Sequence, residues 1–134
     1  MNVNLIRYGS TEKVSLDMES QKRIVQIVSS IINESNEVVR LMVTEDRINS
    51  IKESEESIEI IFHSERVFES DNIGGEPIKK ILFPLTGEFI RTSEDAIFTI
   101  FIGDDEYFSG PLRNNVSYQK LVELKNIIYS KIKN

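Results

Sequence analysis

The chain has 134 residues, of which 40% are hydrophobic and 28% charged, with no cysteine and a formal net charge of −6. That length and composition suit one ordinary domain, residues 1–134, with a core large enough to offset its ordering entropy, which excludes a disordered chain. The missing cysteine excludes a disulfide framework, a thiolate zinc site, an iron–sulfur cluster and a cysteine nucleophile together.

The distribution of charge says more than its total. Residues 1–44 carry five basic and five acidic side chains, residues 45–106 six and sixteen, and residues 107–134 five and one. An acidic middle repels phosphate backbones, so nucleic acid is not expected as a partner. The first residues show no basic stretch followed by an apolar one, and no apolar run approaches the roughly 20 residues that span a bilayer. A cytoplasmic protein with no membrane partner is the expectation.

Residues 2–8 alternate weakly and predict a first strand, followed by a loop over 9–13. Ile24, Ile27, Val28, Ile31 and Ile32 recur at helical spacing and predict a helix from Asp17 to about Asn33, capped by Ser15 or Asp17 and leaving at residues 33–36. Val39, Leu41 and Val43 alternate with Arg40, Met42 and Thr44, which predicts a strand with one face on a core. Glu53, Glu55 and Glu56 then fall between residues 48–52 and the alternating 58–62, the pattern of a hairpin with an acidic tip. Residues 65–68 extend or kink its second strand.

Residues 71–77, with Gly74, Gly75 and Pro77, predict the longest loop. The run 78–85 is a strand in which Pro84 demands an edge or a bend. Arg91 to Asp95 turns the chain, and residues 96–102, apolar almost throughout, predict a central strand covered on both faces. A turn at Gly103, Asp104, Asp105 and Glu106 leads to a short return at Tyr107 and Phe108, and Gly110-Pro111 breaks the chain before the last helix. In that helix Leu121, Leu124, Ile128 and Ile132 form the stripe, with Lys131 and Lys133 complementing its dipole. The expected fold class is α+β: an antiparallel meander of four to six strands with an N-terminal and a C-terminal helix on one face.

Chemistry-bearing patterns are sparse. His63 is the single histidine, and beside the alternating strand it reads as an exposed strand residue; no Gly-x-Ser-x-Gly elbow supports a serine triad. Asp104, Asp105 and Glu106 lack the rhythm of a calcium loop, and Gly74-Gly75 belongs to no phosphate-binding pattern. No catalytic residue, metal ligand or cofactor is therefore assigned. The segment 103–114 stands out because it sets two aromatics between an acidic turn and a Gly-Pro break, a mixture typical of binding surfaces. Asp104, Asp105, Glu106, Tyr107, Phe108 and Arg113 are the candidate partner-binding residues. The competing reading is that Phe108 fills the core and Tyr107 covers a helix end.

Together with Ile81-Leu82-Phe83-Pro84-Leu85-Thr86-Gly87-Glu88, this segment resembles small bacterial proteins of the toxin-immunity type. The resemblance implies a non-enzymatic binder that occludes a basic toxin domain with an acidic face. The alternatives are a small enzyme or ligand-binding domain assembled only in three dimensions, and a structural subunit of a homo-oligomer.

Overall fold

Eleven elements follow one another along residues 1–132, which the computed structural model describes. Strand β1 (Asn2–Arg7) turns through Tyr8 and Gly9 into β2 (Ser10–Val14). Both turn residues have positive φ, 50° and 84°, as a two-residue hairpin of the type I′ kind requires. The predicted loop over 9–13 is thus corrected to a strand, polar because it lies at the sheet edge.

Helix α1 (Met18–Glu34) forms as its isoleucine stripe predicts, and Asp17 accepts the Ser20 backbone N–H at 2.7 Å. A two-residue strand, β3 (Glu37–Val38), follows. The strand predicted over 39–43 does not form. Leu41 N–H folds back onto the carbonyl of Val39 at 2.9 Å, and Gly110 N–H then reaches the carbonyl of Leu41 at 3.0 Å, so the segment straps residues 109–111 without a ladder.

The predicted acidic hairpin is also corrected. Residues Glu45–Ser54 form helix α2, because Thr44 accepts the Arg47 N–H at 3.1 Å and Glu45 and Asp46 occupy the first turn, where the helix dipole favours carboxylates. Its apolar stripe is Ile48 and Ile51. Strand β4 (Glu56–Val67) is long, with a register shift against β5 (Pro77–Pro84) between Ile61 and Arg66, so residues 65–67 extend it past an irregularity. Strand β5 is interior, not an edge, and tolerates Pro84 as its last residue. Strand β6 (Ile90–Arg91) pairs with β7 (Ile97–Gly103). Another short strand, β8 (Leu112–Asn114), intervenes between Gly110-Pro111 and α3 (Tyr118–Ser130), where a direct passage into the last helix was predicted. Lys133 lies outside the described residues.

The protein is α+β with an antiparallel sheet of eight strands, in the order β2-β1-β4-β5-β7-β8-β3, with β6 beside β7. Three helices flank it, so the expectations of at most six strands and two helices are corrected upward; the extra elements are too short to show a period. As predicted, β7 is interior and buried on both faces. Alternation along the strands sends Leu5, Ile58, Ile60, Ile81, Phe83, Ile100 and Leu112 to one side, where they meet α1 and α3. Leu82 and Phe101 point to the other side and meet Ile48 and Ile51 of α2. The N-terminal and C-terminal helices thus share one face, as expected, and the unpredicted α2 covers the other. Burying each such side chain is worth about 1.5–3 kcal/mol, so the larger cluster carries the fold and the smaller one secures α2.

Several polar ties close the larger layer. Arg23 of α1 grips the Glu123 carboxylate through Nε and Nη2 at 2.6 and 2.8 Å. Asn114, fully buried, donates to the Ile31 carbonyl at 3.0 Å while its Oδ1 accepts the N–H groups of Val116 and Ser117 at 2.8 Å each. That side chain joins the end of α1 to the start of α3.

Candidate functional site

The second face of the sheet holds a charged group that the sequence pattern places in solvent. Glu59 alternates with the core residues Ile58 and Ile60, and its side chain points to the α2 side, where it is only 6% exposed. Burying a carboxylate costs several kcal/mol unless it is fully partnered. Its partners come from two directions. Lys52, at the end of α2, places Nζ at 3.1 Å from Oε1 and 2.9 Å from Oε2. Tyr107 donates its hydroxyl to Oε2 at 2.5 Å.

Tyr107 is held there by a tight turn. Gly103 bridges to Tyr107, Asp104 N–H reaches the Glu106 carbonyl at 3.1 Å, and Phe108 N–H returns to the Ile102 carbonyl at 2.8 Å. Burial, reinforced by the Glu59 charge and hydrogen bond, pushes the Tyr107 phenol well above its ordinary value. Lys80 of β5 completes the group: Nζ donates to the Asp105 carbonyl at 2.7 Å and sits 4.6 Å from the centre of the Tyr107 ring.

Above this network lies a cleft of about 470 Å³. One side is the start of α2, with Val43, Thr44, Glu45 and Ile48; the other is Asp105, Glu106 and Tyr107; Lys52 and Lys80 also line it. A depression of about 520 Å³ at the 91–97 loop and the start of α3 is slightly larger. Its Arg91 guanidinium is turned onto the Asp95 carbonyl, and its loop walls are exposed with no buried ionic group beneath. The α2 cleft is therefore the candidate site.

Of the residues singled out from the sequence, Asp105, Glu106 and Tyr107 come together at this cleft. Asp104 turns instead toward Glu65, whose carboxyl is pushed up by the hydrogen bond and charge of that neighbour. Phe108 packs against the larger core, and Arg113 pairs with Glu37 across β8 and β3 at 3.3 Å. His63 is exposed on the far part of β4, its Nε2 accepting from the Met1 amino nitrogen at 2.8 Å. The sequence reading missed Glu59, Lys52, Lys80 and Glu45. A glutamate inside an apolar strand was the available signal, but it marks a site only once α2 is known to cover that face.

Chemically, these groups hold protons in place. Tyr107 keeps its hydrogen on Glu59, Lys52 is committed to the same carboxylate, and the Thr44 hydroxyl caps α2. Among the described residues no group of three histidine or carboxylate side chains could hold a metal ion, and no helix is long and apolar enough to cross a membrane. No known family, curated protein or solved structure matches this chain.

Proposed function

We propose that this chain is a small protein-binding module, non-enzymatic, whose recognition surface is the α2 face with its adjoining 103–107 turn. The observation that carries this reading is the segregation of charge. Helix α2 and the turn residues Asp104, Asp105 and Glu106 contribute six acidic and two basic side chains, whereas α1 and α3 together contribute three acidic and four basic. The sheet lies between the two groups, so one side of the molecule presents a negative field. Such a field raises the encounter rate with a basic partner and supplies most of the salt dependence of association. The resemblance to immunity proteins supports a basic toxin domain as that partner, neutralised by occlusion in the cytoplasm.

A second reading, a domain that binds a small molecule, is favoured by the cleft itself. The test that separates them is capture by the immobilised chain from native lysate at low and moderate salt. The wild type and a Glu45→Lys, Asp105→Lys, Glu106→Lys variant are compared. A basic protein retained by the wild type and lost by an equally folded variant supports the binding module. Equal retention by both, or retention of no protein, removes it and leaves the small-molecule reading.

A further inference from the structure

We infer that the α2 cleft receives a single cationic side chain, a lysine or an arginine, from the protein partner. This rests on the binding role proposed above and assigns its point of entry. The cleft is concave, and its apolar lining is the Val43 and Ile48 side chains with the Tyr107 ring, a surface suited to the aliphatic stem of a long basic residue.

Charge in the cleft is unevenly spent. Lys52 is paired with Glu59, and Lys80 is held by the Asp105 carbonyl and the Tyr107 face. Among the described residues, the carboxylates of Glu45, Asp105 and Glu106 enter no ion pair. An entering cation thus meets three carboxylates that enter no ion pair against one such ammonium, that of Lys80, so the net charge of the cleft favours a cation. An entering anion would find only Lys80, because Lys52 is engaged by the buried Glu59.

A polypeptide, not a free cation, is the occupant that uses the surroundings. A metal ion would leave the apolar lining of Val43, Ile48 and the Tyr107 ring unused and finds no group of three ligands among the described residues.

The experiment is a nuclear magnetic resonance titration of the full chain with N-acetyl-arginine amide, with N-acetyl-citrulline amide as its neutral isostere. Saturable shifts at the amides of Val43, Glu45, Glu106 and Tyr107 are expected with arginine and absent with citrulline. The Asp105→Asn, Glu106→Gln variant should bind at least about fivefold more weakly, as removal of two partly exposed ion pairs implies. Equal shifts with citrulline, equal shifts with magnesium chloride alone, or no saturable shift at the cleft each overturn the inference. If the chain nevertheless retains a basic protein that the charge-reversed variant loses, the acidic-face reading stands and only the cleft assignment has failed.

Discussion

Tyr107 and Glu59, 48 positions apart in the chain, are joined by a hydrogen bond of 2.5 Å between phenol and carboxylate. That bond ties the acidic turn to the centre of the sheet, and Lys52 on the same carboxylate ties α2 to it as well. Tyr107→Phe removes the hydroxyl while keeping the ring beneath Lys80. A hydrogen bond to a charged group is worth about 1.5–3 kcal/mol, and Glu59 would keep Lys52, so a loss of about 1.5 kcal/mol is expected in urea unfolding. A loss below about 0.5 kcal/mol would show that water replaces the phenol without cost.

The same pair sets an alkaline limit. Burial, then the Glu59 charge, raises the Tyr107 phenol in the fold. The unfolded chain loses this proton near its ordinary value of about 10, so the contribution is complete below that pH and is lost as pH rises beyond it. Each such group steepens the decline by up to about 1.4 kcal/mol per pH unit. Tyr129 is raised too, chiefly by burial, so Tyr107→Phe should flatten the decline without abolishing it. Unfolding curves of both proteins from neutral pH into the alkaline range measure this, and parallel declines would contradict it.

Gly103 fixes where Tyr107 sits. A Cβ there would stand 2.6 Å from the Tyr107 Cα and nearer still to the Glu106 carbonyl oxygen, both backbone atoms that cannot swing aside. Gly103→Ala should therefore cost about 2 kcal/mol through overpacking and move the turn. The Tyr107 and Phe108 amide resonances report the shift directly; unchanged resonances with unchanged stability would show that the turn has slack.

How much of this was legible follows from how long each pattern runs. Five aliphatic residues in α1 and an uninterrupted apolar β7 leave no ambiguity of period. Helix α2 buries only Ile48 and Ile51, one pair at helical spacing, which Glu53, Glu55 and Glu56 disguise as a solvated tip. Strands β3, β6 and β8 are two or three residues long and are made by their partners, not by their own sequence. The site inherits both limits. Asp105, Glu106 and Tyr107 are conspicuous in the chain, but Glu59 matters because a helix hidden from pattern reading covers it.

That thin attachment gives α2 its own expected behaviour. It is ten residues long, too short to be stable alone, and its apolar hold is the cluster of Ile48, Ile51, Leu82 and Phe101. Local opening should free α2 while the sheet and the α1–α3 layer stay closed. Ile51→Ala removes half of the helix's stripe and should cost about 2–3 kcal/mol, at the low end for a buried aliphatic because the cluster is small. In native-state hydrogen exchange the α2 amides should lose protection more than those of β4 and β7. When α2 opens, Lys52 leaves Glu59 and water reaches the carboxylate that the helix had covered, so the phenol bond contributes less in that state. Adding Tyr107→Phe to Ile51→Ala should therefore cost less than the sum of the two single changes, and strict additivity would mean that α2 and the turn are energetically independent.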